Sequence, residues 1–107
     1  MKMNTQDFPQ SKSEQAAQFL KSLANPHRLN ILCLLVEREY CVNHLVENSG
    51  ISQSAISQHL ARMRAEGLVS CRRDAQKQYY SICDDKVFAI ISTLKNQFCP
   101  LEQKDSD

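Results

Sequence analysis

The sequence predicts a mostly helical fold with one small β-hairpin, ordered as three helices, a fourth helix, two short strands and a closing helix. Three observations carry this reading. Apolar residues recur at helical spacing through most of the chain. Two runs, Leu68 to Arg73 and Gln78 to Cys83, read instead as strands around the polar turn Asp74-Ala75-Gln76-Lys77. The two glycines, Gly50 and Gly67, fall where helices must stop.

Each element has its own signal. Ser11 or Ser13 starts a first helix that runs to about Leu23, with Ala16, Phe19, Leu20 and Leu23 on one stripe. Asn25-Pro26 starts the second: asparagine caps, and proline sits at the first helical position, where a missing N–H costs nothing. Leu29, Ile31, Leu32, Cys33, Leu34, Leu35 and Val36 cover most of that helix, so it is expected to be central and buried. A short third helix, Val42 to Asn48, ends at Ser49-Gly50. Ser52 caps a fourth that reaches about Glu66 and stops at Gly67. Its Ile56, Leu60 and Met63 face inward and leave Ser54, Ser57, Gln58, Arg62 and Arg64 outside. Asp84 opens the last helix, with Val87, Ile90, Ile91, Leu94 and Phe98 at helical spacing and Pro100 closing it.

A chain of 107 residues fits one domain, taken as residues 11–100 between a flexible N-terminus (1–10) and a disordered acidic tail (101–107). Apolar residues make up 42%, thin for a lone protomer with several helices to bury, and a homodimer would supply the missing burial. No run approaches the roughly 18 apolar residues of a membrane helix. The polar stretch from Met1 to Lys12 lacks the apolar core of a signal peptide, so the expected location is cytoplasmic.

The segment from Val42 to Leu68 has the form of a helix-turn-helix: a short helix, a tight turn and a second helix that can enter a major groove. That second helix begins Ser52-Gln53-Ser54-Ala55, small and polar enough for close approach to base edges, and glutamine can pair with adenine through two hydrogen bonds. The formal net charge is only +1. Its distribution is more telling. Between Arg62 and Lys77 five bases (Arg62, Arg64, Arg72, Arg73, Lys77) stand against two acids (Glu66, Asp74). Arg72, Arg73 and Lys77 at or near the hairpin tip suit backbone phosphates or the minor groove. The whole reads as a winged helix-turn-helix that binds double-stranded DNA.

The stretches LANPHRLNILCLL and ISQSAISQHLARMRAEGLVSCRRDAQKQYYSI resemble the ArsR/SmtB family of bacterial repressors, and the likeness spans Ala24 to Ile82. The resemblance implies a winged fold, a homodimer built mainly from the first and last helices, a palindromic operator and an effector that weakens DNA binding. It also implies reading positions at Gln53, Ser54, Ser57, Gln58 and His59. Metal sensors of the family carry a CVC motif where this chain has Tyr40-Cys41-Val42-Asn43-His44, and metal ligands along a last helix that here lacks histidine. A metal site is therefore not expected. Cys41 and His44 form the weaker alternative, two ligands being too few for a closed tetrahedral site. No cofactor is expected.

The five cysteines, an odd number without an export signal, read as free thiols, sensors or ligands rather than a disulfide framework. Cys33 and Cys99 resemble the dithiol of the family's sulfur-sensing BigR/SqrR/HlyU branch, which implies reactive sulfur species, persulfides and polysulfides, as effector. Apolar neighbours are expected to raise the Cys33 pKa, which makes Cys99 the expected first nucleophile, with Lys95 one turn before it. A direct disulfide needs Cα atoms within roughly 7 Å. A longer separation is expected here, one that admits inserted sulfur atoms. Cys71 reads as packing, and Cys83 precedes the last helix. An enzyme is not expected, since two glycines make no phosphate loop and no Ser/His/acid arrangement is evident. A protein-binding winged module and a metal-responsive or general thiol-redox repressor are the alternatives.

Overall fold

The computed structural model describes residues 10–99. The expectations for residues 1–9 and 100–107, including the closing proline and the acidic tail, lie outside it. The elements are α1 (Gln10–Leu23), α2 (Pro26–Glu37), β1 (Tyr40–Cys41), α3 (Val42–Ser49), α4 (Gln53–Ala65), β2 (Val69–Asp74), β3 (Lys77–Ile82) and α5 (Asp85–Phe98). The first helix thus includes Gln10, which the sequence reading had left in the flexible N-terminus.

Local chemistry sets the helix starts. The Asn25 carboxamide oxygen accepts the Arg28 N–H at 3.0 Å, with Pro26 in the first turn. The Ser52 hydroxyl accepts from Ala55 at 3.2 Å, and the Asp84 carboxylate accepts from Lys86 at 2.8 Å. Each satisfies an amide that the helix leaves open, a contribution of about 1 kcal/mol.

Ile31, Leu32 and Leu35 of α2 lie at the centre, packed with Leu45, Ile56, Leu60, Met63, Val69, Val87 and Ile91. Removing one such side chain costs about 2–5 kcal/mol, so α2 is the keel on which the other elements rest. Its burial is one-sided within the protomer: Leu29, Cys33, Leu34 and Val36 are half-buried. The first helix reaches the core through Phe19 and Leu23, whereas Leu20 is 53% exposed. On α5, Val87 and Ile91 are buried, while Phe88, Ile90 and Phe98 are exposed, Phe98 at 77%.

The sheet differs from the expected hairpin in two respects. It has three antiparallel strands in the order β1-β3-β2, because Tyr40 and Cys41 pair with Tyr80 and Tyr79 on the free edge of β3. Two residues are too few for an alternation signal, which is why the sequence shows only a hairpin. The turn is also tighter. The ladder continues to Asp74 opposite Lys77, leaving Ala75 and Gln76 as a two-residue connection with Ala75 at a φ of 59°.

Candidate nucleic-acid interface and thiol pair

The turn between α3 and α4 is built on Gly50, at a φ of 75°, where its N–H bonds back to the Val46 carbonyl at 3.0 Å. A side chain there would be strained, so glycine is what lets α3 end and the chain swing into α4. Ile51 then drops into the core, its N–H donating to the Ser49 hydroxyl at 3.0 Å, and fixes where Ser52 caps the helix.

Successive residues of a helix are about 100° apart. Ile56, Leu60 and Met63 therefore share the buried face of α4, and Ser54, Ser57, Gln58 and Ala61 lie across from them, all exposed. Gln53, also exposed, stands at the helix start and Arg64 and Arg62 flank the polar face. Two of the residues expected at the DNA also have partners within the fold, Ser52 as the expected cap and His59 against α2. The Ser52 hydroxyl serves as the cap and lies 3.4 Å from the Ser54 hydroxyl. His59 turns toward α2 and meets His27 edge to face, with ring centroids 5.6 Å apart. Partial burial, then the charges of Arg28, His27 and Arg62, push the His59 pKa down, so its imidazole favours the neutral form. His59 lines an open cleft with Gln18, Asn25, Arg28, Arg62 and Glu66 rather than the exposed polar face.

The hairpin cations also divide. Arg72 is clasped by Glu39, with Nε and Nη2 donating to the carboxylate at 2.8–3.0 Å, and its guanidinium stacks 4.8 Å from the Tyr79 ring centre. That pairing pushes the Glu39 pKa down and the Arg72 pKa up. Sequence counting had treated Arg72 as an uncommitted cation. The acid that occupies it lies 33 residues away, on the short connection before β1, where no local pattern points to it. Arg62, Arg64, Arg73 and Lys77 make none of the ion pairs within 4.0 Å found among the described residues. Arg73 and Lys77 flank a groove shared with Asn43 and Gln78, beside the start of α3.

The five cysteines are free thiols. Cys33 is half-buried on α2 and Cys99 is exposed at the end of α5, where its N–H bonds to the Lys95 carbonyl at 2.7 Å. Burial pushes the Cys33 pKa up, as its apolar neighbours had led one to expect; Lys95 draws it down, and Cys99 and Glu37 push it up. Lys95 also links the two helices. Its Nζ crosses to α2, donating to the Cys33 carbonyl at 3.2 Å and to Glu37 at 2.5 Å.

The remaining cysteines are dispersed. Cys41 is buried at the start of α3, Cys71 is half-buried on β2, and the exposed Cys83 thiol donates to the Gly67 carbonyl at 3.4 Å. His44 is exposed on α3. Among the described residues no three His, Cys, Asp or Glu side chains gather as a metal site requires.

Comparison with known proteins gives this arrangement a family. Residues 25–70, which hold α2, the turn and α4, match the model of the bacterial regulatory proteins of the arsR family. The HTH-type transcriptional regulator YgaV of Escherichia coli K12 is 51% identical over 92 residues, covering 85% of this chain and 93% of that protein. The chain belongs to the arsR family. It is a transcriptional regulator, not an enzyme. Among solved arsR-family structures, the regulator HlyU of Vibrio vulnificus aligns with a TM-score of 0.83 at 42% identity, covering 91% of this chain and all of that one. The transcriptional repressor BigR of Xylella fastidiosa aligns at 0.81 and 33% identity, covering 91% and 98%. These neighbours support the HlyU/BigR branch within the family. No helix among the described residues is long and apolar enough to cross a membrane.

Proposed function

We propose that this regulator binds a palindromic DNA operator as a homodimer and that reactive sulfur species control its grip by linking Cys33 to Cys99. The observation that carries the sensor reading is that α2, which bears Cys33, packs on α5, which ends at Cys99, with Lys95 bonded across to the Cys33 carbonyl. The bases would be read by Gln53, Ser54, Ser57 and Gln58, with Arg62, Arg64, Arg73 and Lys77 on backbone phosphates. Ser52 positions that helix by capping it. Arg72 and His59 contribute through the wing and the α2–α4 junction, in keeping with their present partners. The exposed Leu20, Phe88, Ile90 and Phe98 on the first and last helices support a second copy packing there.

The chemistry balances with a four-sulfur polysulfane, HSSSSH. The Cys99 thiolate attacks an inner sulfur, the central S–S bond breaks, HSS⁻ leaves, and Cys99 carries –S–SH. The Cys33 thiolate then attacks the sulfur adjoining the Cys99 Sγ and expels HS⁻, leaving a Cys33–S–S–S–Cys99 bridge. Both cysteines are oxidised and the polysulfane sulfur is reduced to HSS⁻ and HS⁻. Such a tether would fix α2 relative to α5 and so the spacing of two reading helices across the dimer. A coupling of about 1–3 kcal/mol changes affinity roughly 5–150-fold. The test is operator binding with and without polysulfide, paired with intact-mass spectrometry. A net mass change of one sulfur gained and two hydrogens lost, which separates the bridge from a simple persulfide, is expected with weakened binding in the unaltered protein and absent from Cys33→Ser and Cys99→Ser. Release of DNA by both variants would refute it.

A further inference from the structure

The cation between the two helices has a role of its own. Lys95 leaves α5, crosses the packing surface and sets its ammonium over the last turn of α2. There it donates to the Cys33 carbonyl at 3.2 Å and to the Glu37 carboxylate at 2.5 Å. Glu37 lies four residues after Cys33, one helical turn on, so the ammonium spans the patch beside the Cys33 side chain. Its own side chain is only 24% exposed, which keeps water from screening it fully. Glu37 is held in turn by the Tyr40 hydroxyl, which donates to its other oxygen at 3.4 Å. An ammonium has three protons. Two have partners in this arrangement, one of them the backbone carbonyl of Cys33 itself.

We propose that Lys95 is a positioning residue for the Cys33 thiolate, and that Glu37 limits its strength by sharing its charge. The proposal deepens the sensor reading and rests on it for its biological meaning. The titratable groups whose charge acts on the Cys33 thiol are Lys95 and Cys99 from α5 and Glu37 from its own helix. Burial raises the thiol pKa, so without Lys95 little thiolate would be present near neutral pH to close the bridge. With Lys95 the attacking anion has a fixed counter-charge. Its backbone hydrogen bond also ties that charge to the helix bearing the sulfur, rather than to a mobile surface lysine.

The experiment is the pH profile of Cys33 alkylation by iodoacetamide, followed by mass spectrometry of the Cys33 peptide, with the Cys71 peptide as an internal control. No DNA or sulfur donor is present, so this assay can fail while sulfur sensing stands, and sensing can fail while it succeeds. Lys95→Gln is expected to move the profile to higher pH and slow alkylation about tenfold at neutral pH, the change that one pKa unit brings. Lys95→Arg is expected to restore most of the rate. Glu37→Gln removes the competing carboxylate and is expected to move the profile to lower pH. Should Lys95→Gln fail to fold, the Glu37→Gln arm still decides. Profiles for either folded variant that superpose on the unaltered protein would overturn the proposal.

Discussion

The guanidinium of Arg28 holds both oxygens of Glu66, at 3.0 and 3.2 Å, and so joins the first turn of α2 to the end of α4 across 38 residues of sequence. The same Arg28 donates to the Ser22 carbonyl at 2.6 Å and is 9% exposed, the one buried charged residue among those described. Glu66 is the less covered partner, its side chain 44% exposed. Three elements, α1, α2 and α4, thus meet at one cation.

Breaking that clasp is expected to weaken the fold. Glu66→Gln leaves Arg28 without its carboxylate; because water partly screens the 44% exposed Glu66 side chain, a loss of about 0.5–1.5 kcal/mol at neutral pH is expected. The sign of the pH effect follows from Glu66, whose pKa the Arg28 hydrogen bond holds below its ordinary value near 4.5. Its contribution is complete above that value and is lost as the pH falls through the lower, folded one. Urea titrations at neutral and strongly acid pH should therefore show the gap between unaltered protein and variant closing in acid.

The wing tip has a residue in a conformation it disfavours. Ala75 adopts a φ of 59°, where a Cβ costs about 1–2 kcal/mol. Ala75→Gly removes that strain but gives the unfolded chain more freedom to lose on folding, so a net gain of about 0.5–1 kcal/mol is expected. Thermal melting checks it.

The uncommitted wing cations should reveal themselves in salt. Each phosphate contact adds about 0.9 to the slope of log affinity against log salt. Arg73→Ala and Lys77→Ala are expected to flatten that slope by about that amount apiece. Arg72→Ala, whose guanidinium is already taken by Glu39, should flatten it less. Fluorescence anisotropy with labelled operator at several salt concentrations separates the three; equal effects would contradict this division.

Oxidant choice tests the bridge itself. If the linkage carries an inserted sulfur, polysulfide should release operator DNA efficiently while hydrogen peroxide at matched concentration does so poorly. Equal release by both would favour an ordinary disulfide and a general redox response. Gel-shift titrations with each oxidant are sufficient.

Much of this molecule was readable from the chain because its local signals agree. Asn25-Pro26, Ser49-Gly50 and Ser52 are strong, short-range instructions, and each element they delimit appears within a residue or two of its expected place. The cysteine environment was partly readable too, since Leu32 and Leu34 announce a half-buried Cys33. What escaped depends on distance. The β1 strand is defined only by the edge of β3, which forms some 40 residues later. Arg72 seems uncommitted until Glu39 is folded beside it, and Lys95 until α5 lies on α2. The turn of His59 toward His27 likewise comes from helix packing, because its position on α4 lies between the buried stripe and the exposed one.

The division of α4 into two faces has an evolutionary consequence. Ile56, Leu60 and Met63 anchor the helix, and the side chains opposite them are exposed. Exchanges at such surface positions usually alter stability by no more than about 0.5 kcal/mol. Under the proposed function, a descendant could thus be redirected to a different promoter by changing Ser54, Ser57 or Gln58 while inheriting its trigger unaltered, because vocabulary and alarm would be written on separate helices.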